Sequence, residues 1–292
     1  MDVRPRSAHP SLGKCFQSHT LSSIKGSMVK LGILPSMSVQ VDHPKLSVGQ
    51  FAERFRGDLI PLSTTFSYYC ASVPLSPEDM KEYLEEPIGA LPPSVAAVLP
   101  KISIMLVPYL ERVNEKGRAK GGEFVCTEKP PKGRLFWASQ VRLEKDKAEV
   151  LLFALKDQEV AEYHYRFYQM LSALLASRWE PSARREYSQL LREELTSAVH
   201  GEVDEESWHL KQSLQRRPIN SVAREGKLFR EYVVQSFIDT MTLYLHGICC
   251  DIDVDTGPRQ LASRHLRKRL SLLHRTYPQP EGYAVFPEDL KA

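Results

Sequence analysis

Arg224-Glu-Gly-Lys-Leu-Phe-Arg-Glu-Tyr-Val-Val-Gln-Ser-Phe-Ile-Asp-Thr-Met-Thr-Leu-Tyr-Leu-His-Gly-Ile248 is the stretch whose reading decides the fold. Within it Phe229, Val233, Phe237, Met241, Tyr244 and Ile248 recur at spacings of three and four, as one face of a helix requires. Tyr232, Val234, Ile238, Leu243 and Leu245 add apolar groups on the flanks. A helix that is apolar nearly all round is enclosed by protein. It does not read as a membrane span. Glu231, Gln235, Asp239 and His246 interrupt it, and a span needs roughly 20 mainly apolar residues with few charges.

Those interruptions are ordered. Glu231, Gln235, Asp239, Thr242 and His246 step by four, four, three and four, so they form one narrow polar strip. One reading has the strip facing water and the helix merely amphipathic. The other has it lining a cleft, where the Asp239 carboxylate and the His246 imidazole share a proton or a metal.

Next come Gly247, Cys249 and Cys250, then Asp251-Ile-Asp253-Val-Asp255-Thr-Gly257-Pro258. Three carboxylates at alternate positions can converge on a hard cation. The calcium-loop pattern fails, however, because its glycine and glutamate positions hold Thr256 and Ala262. His246, Cys249 and Cys250 offer nitrogen and sulfur one turn apart, and with Asp239, Asp251 or Asp253 they reach the ligand count of zinc. A basic helix follows over 259–275, with Arg259, Arg264, Arg267, Lys268, Arg269 and Arg275 against an apolar face of Ala262, Leu266, Leu270 and Leu273. Such a face can meet phosphates of nucleic acid or lipid. It lacks interleaved aromatics, though, and the neighbouring acidic loop offsets its charge.

Upstream, three more helices are expected. The first is capped by Asp157 and carries Val160, Tyr163, Phe167, Leu171, Leu174 and Leu175, with His164, Tyr165 and Tyr168 beside that face. The second starts at Ser182, after Trp179-Glu-Pro181, with Tyr187, Leu190, Leu191, Leu195 and Val199 as its stripe. The third starts at Asp204 and ends before Pro218. His200 and His209 are nine residues apart and fall on opposite sides of a helix, so they are not a His-Glu-x-x-His zinc pair. Glu205 and His209 share a face, and Lys211 complements the helix dipole.

The N-terminal half reads differently. Ser47 and Ser76 can each cap a helix, the second stopping before Pro87. Segments 64–73, 123–127, 134–143 and 148–156 are β-like, and the last two form a hairpin through the charged link at 144–147. Residues 102–107 are an apolar run, broken only by Ser103, between two prolines, read as a strand.

The chain has 292 residues, 42% of them hydrophobic, with a net charge of +3; this is enough for a sizeable core and too balanced to imply a polyanionic partner. Five cysteines, an odd number and widely spaced but for the adjacent Cys249 and Cys250, argue for reduced thiols and a cytoplasmic setting. No dinucleotide, P-loop or nucleophile-elbow motif occurs.

The sequence therefore predicts a predominantly helical α+β fold. A small, largely antiparallel sheet in residues 37–156 packs on a helical bundle of 157–275. A basic disordered tail of 1–36 precedes them and an extended arm of 276–292 follows. The leading functional expectation is a binding or regulatory protein without chemistry of its own, its partner left open, with a protein among the candidates. The second is a metal-assisted hydrolase. Asp239, His246 and Glu205 would be its catalytic residues, and His246, Cys249, Cys250, Asp251, Asp253 and His209 the ligands of a divalent metal. The third is nucleic-acid binding through 259–275.

Overall fold

The computed structural model describes residues 45–71, 73, 75–113, 122–130, 134–143, 148–216, 226–249 and 259–285. The expected basic tail, the hairpin link at 144–147, and Cys250, Asp251 and Asp253 lie outside the described residues.

A five-stranded sheet takes the order β1 (Ile60–Pro61), β2 (Phe66–Cys70), β3 (Ile102–Val107), β8 (Glu149–Ala154), β7 (Ala138–Arg142). The outer pairs β1/β2 and β7/β8 are antiparallel, whereas β2/β3 and β3/β8 are parallel. A second, three-stranded antiparallel sheet places β4 (Tyr109–Val113) between β5 (Gly122–Cys126) and β6 (Leu135–Phe136). The expected strands are present, but the large sheet is mixed rather than largely antiparallel. The connections explain the difference. Between β2 and β3 the chain passes through α2 (Pro77–Met80), a π-helical turn (Lys81–Glu85), α3 (Glu86–Gly89) and α4 (Pro93–Val98). Between β3 and β8 it builds the second sheet. Long crossovers of this kind return a strand in its original direction.

The run at 102–107 is apolar but for Ser103, whose hydroxyl pairs with that of Ser67 at 3.1 Å, because β3 is covered on both faces, as parallel strands are. Ile102, Ile104 and Leu106 join the larger core with Leu151, Phe153 and the helices. Met105 and Val107 point the other way, with Val150, Leu152, and Phe51 and Ala52 of α1 (Val48–Arg54). Successive residues of a strand alternate between faces, so one segment serves both layers. Helix α1 starts as expected: Ser47 Oγ accepts from the Gln50 N–H, and Gln50 Oε1 accepts from the Ser47 N–H.

Among the described residues, five helices form the other half: α5 (Val160–Ala176), α6 (Pro181–Thr196), α7 (Glu205–Gln215), α8 (Lys227–Cys249) and α9 (Ser263–Thr276). Every member of the expected α8 stripe, from Phe229 to Ile248, is buried. Helix α5 bridges the two halves, with Tyr163 edge-on to Phe153 at 5.0 Å. Each such large apolar side chain fully enclosed is worth about 1.5–3 kcal/mol. Past α9, Tyr277 is buried and its carbonyl accepts from the Tyr244 hydroxyl at 2.5 Å.

Two local expectations are corrected. Asp157 does not cap α5. It sits at φ 64 and pairs with Lys129 at 2.5 Å, while Glu159 is the N-cap residue. The helix begun by Ser76 does not stop before Pro87 either. Proline has no N–H and its ring would strike a carbonyl of the preceding turn. The π-helical turn before it leaves the Glu82 carbonyl without a helical donor, since the Glu86 N–H goes to Lys81. His164 Nε2 of α5 meets that carbonyl at 2.8 Å, and the Tyr168 hydroxyl donates to the Pro87 carbonyl at 3.1 Å. The aromatic patch beside the α5 stripe thus docks an irregular helix.

Candidate functional site

The helical half holds three polar features, each touching α8. The first is a fully enclosed ionic network. Arg269, expected on the basic face of α9, is 0% exposed. Its Nη1 and Nη2 donate to Glu202 at 2.7 and 2.9 Å, and its Nε lies 3.2 Å from both Glu194 oxygens. Nη2 also reaches Glu194, and Nη1 reaches the Ser236 hydroxyl at 2.9 Å. All five guanidinium N–H donors are therefore used. Lys211, expected to serve the dipole of α7, is instead buried. It donates to the Gly201 carbonyl at 2.7 Å and lies 3.1 Å from Glu202. The Tyr232 hydroxyl completes the set on Glu202.

Two cations and two carboxylates cancel, and every partner is hydrogen-bonded, which is the condition for keeping charge inside. Burial raises the Glu202 pKa, but the Arg269 charge and hydrogen bonds and the Lys211 charge outweigh it and hold the carboxyl at about 2. Gly201 must be glycine. Its φ is 83°, and a Cβ would lie 2.1 Å from the Gln260 carbonyl oxygen. This network is saturated and leaves no group for a ligand.

The second feature is the predicted polar strip. Glu231 is exposed and Gln235 half-buried, whereas Asp239 and Thr242 are enclosed and His246 is half-buried. Gln235 Nε2 donates to Asp239 Oδ1 at 2.8 Å, and Oδ2 has no hydrogen-bond partner among the described residues. Burial pushes the Asp239 carboxyl up to about 7, against the pull of Ser207 and Gln235, and the Asp204 and Glu202 charges add to the rise. The Asp204 carboxylate caps α7 and accepts from the Tyr165 hydroxyl at 2.8 Å. His246 is lined by the rings of Tyr165 and Tyr168, centroids 6.0 and 6.1 Å away. Its Nε2 is enclosed without a hydrogen bond among the described residues. Burial lowers its pKa, and the nearby His164 adds to the fall.

The other candidates stand elsewhere. Glu205 is exposed on α7, 3.4 Å from both His209 and Arg259. Cys249 follows His246 on α8, and Cys250, Asp251 and Asp253 are outside the described residues. Cys70, Cys126 and Cys249 are not in disulfides. Among the described residues, no three His, Cys, Asp or Glu side chains converge closely enough to hold a metal ion, and no helix is long and apolar enough to cross a membrane. On the basic face of α9, Arg275 pairs with Glu186 at 2.8 Å.

The third feature is a surface groove between the N-terminal halves of α6 and α8. One hollow of about 360 Å³ has Trp179, Phe229 and Val233 on its apolar side and Arg184, Arg185 and Arg230 around it. A second, wider hollow of about 610 Å³ shares Arg184 and Arg230 and continues past Leu210 and Val234 to Gln235. The three arginines are exposed and make no ion pair among the described residues. Arg185 feels the charge of Glu180, whose carboxylate is engaged by the Ser182 and Ala183 N–H groups at the start of α6. The sequence reading passed over these arginines because they lie off the apolar stripes. Only the approach of α6 to α8 gathers them. Compared with known protein families, curated proteins and solved structures, the chain matches none.

Proposed function

We propose that this protein is a binding module that holds an anionic partner in the groove between α6 and α8, without chemistry of its own. The observation that supports the reading is the set of three exposed arginines, unpaired among the described residues, around an apolar floor. Isolated cations are ordinary on a surface. Three guanidinium groups held around one concavity raise the local potential and favour a planar anion. Isothermal titration with polyglutamate and with tripolyphosphate tests this. Saturable binding is expected, weakened by salt and lost in Arg184→Glu/Arg230→Glu. Failure of the native protein to bind either anion overturns the reading.

A second reading, metal-assisted hydrolysis, has one observation in its favour: the enclosed Asp239 carboxyl keeps an oxygen without a partner and titrates near neutrality. Such a group suits a general base. Elemental analysis of purified protein is the test. A stoichiometric transition metal that is lost in Asp239→Ala/His246→Ala favours the hydrolase. A metal-free protein, or a metal retained in that pair, removes the support.

A further inference from the structure

We infer that the groove between α6 and α8 receives an acidic peptide segment of a partner protein. An apolar side chain of that segment seats over Pro181 and the exposed edge of Trp179, and its carboxylates lie on Arg184, Arg185 and Arg230. This rests on the reading that the groove binds anions and adds which anion it binds.

Four observations choose the occupant. The hollow of about 360 Å³ is too small for a folded element but admits one or two side chains. Its floor is apolar, so an inorganic anion or a sugar–phosphate backbone leaves it uncovered. Its aromatics are not a stacking platform: the Trp179 ring lies on Phe237 with centroids 3.7 Å apart, and Trp179 and Phe229 are only 9% and 2% exposed. Nucleic-acid bases need open aromatic faces. A lipid surface is met by protruding apolar side chains, yet the exposed large ones among the described residues are Ile60 and Val98, on β1 and α4.

The second hollow extends the track along α8 past Leu210 and Val234, a run suited to a chain rather than a compact ligand. Within that second hollow Glu231 pairs with Lys227 at 3.7 Å. Negative charge on the peptide is therefore favoured at the three arginines and not there. Arginine's planar fork matches a carboxylate in two parallel hydrogen bonds, which fixes orientation as well as charge.

Fluorescence anisotropy with the full chain tests the proposal. The probe is a short fluorescein-labelled peptide of aspartates and glutamates with one central phenylalanine. Two comparisons run beside it: the same peptide with alanine at the centre, and a labelled oligothymidylate. The phenylalanine peptide is expected to bind about tenfold tighter than the alanine peptide. Raising salt from about 50 to 500 mM should weaken it at least tenfold. Arg184→Glu/Arg230→Glu, whose thermal unfolding should match the native chain, should abolish it, while Arg264→Glu/Lys268→Glu on α9 leaves it unchanged. Equal binding of the two peptides overturns the apolar seat and leaves the anion-binding reading standing. Tighter binding of oligothymidylate makes nucleic acid the occupant. Self-association that the same arginine pair abolishes makes it a second copy. If polyglutamate, tripolyphosphate and both peptides all fail to bind, the reading and the inference fall together.

Discussion

Helix α8 meets two buried polar regions, and they follow opposite rules. Around Arg269, two cations meet two carboxylates and every guanidinium N–H has an acceptor. Around Asp239, a carboxyl is enclosed with the Gln235 amide and the Ser207 hydroxyl near it and no cation. The first region keeps its charges because the partners supply what water would. The second cannot, so its carboxyl holds a proton far above the usual range. Burial alone does not decide whether a group is ionised inside a protein; the local sum of charge and hydrogen bonds does.

The largest effect should come from removing the centre of the balanced region. Arg269→Met leaves Glu194 enclosed without a cation and Glu202 with Lys211 alone, and should cost about 3–5 kcal/mol. Urea denaturation measures it, with exposed Arg264→Met as the control near zero. Equal losses for the two variants would erase the distinction between the regions. Gly201→Ala strikes the same network through its backbone. The Cβ meets the Gln260 carbonyl and the positive φ is strained, so a loss of about 3 kcal/mol is expected in the same assay.

The sharpest contrast lies in pH dependence. Folding lowers Glu202 to about 2 from 4.5, so its contribution is present above 4.5 and is lost as pH falls toward 2. Folding raises Asp239 to about 7 from 3.8, so the folded chain binds the extra proton and stability falls as pH rises between those values. Asp239→Asn should remove that decline. It should stabilise the protein by about 2 kcal/mol at pH 8, after the cost of an unpaired amide, and destabilise it by about 2 kcal/mol at pH 3, where the native carboxyl is protonated and only that cost remains. A flat native profile between pH 4 and 7 would show that Asp239 is better solvated than its surroundings imply. The smallest effect belongs to His164→Phe, which unpairs the Glu82 carbonyl and should cost about 1–2 kcal/mol in thermal unfolding.

Much of this was readable in advance. The α8 stripe, the cap residues Ser47, Ser76 and Asp204, and the strands at 102–107 and 134–143 all rest on short-range periodicity or on one side chain bonding its own turn. The buried ions left a fainter mark. Arg269 stands three residues after Leu266 and four before Leu273, which places it on the apolar face of its own helix. Lys211 stands three before Leu214, and Glu194 three after Leu191. A charge inside an apolar stripe was the available signal. Charge counting along the helix hid it.

The sequence by itself determined which faces of the helices and strands are apolar, because side-chain direction follows from the local period of 3.6 or 2. Tertiary structure alone decided that β2, β3 and β8 run parallel, that Arg269 and Lys211 go inside, and that Arg184, Arg185 and Arg230 share a groove. Each of these needs a partner far away in the chain: Arg269 finds Glu194 across 75 positions and Glu202 across 67. Local propensity is blind at that range, since the energy of a buried charge is set wholly by what the fold brings beside it.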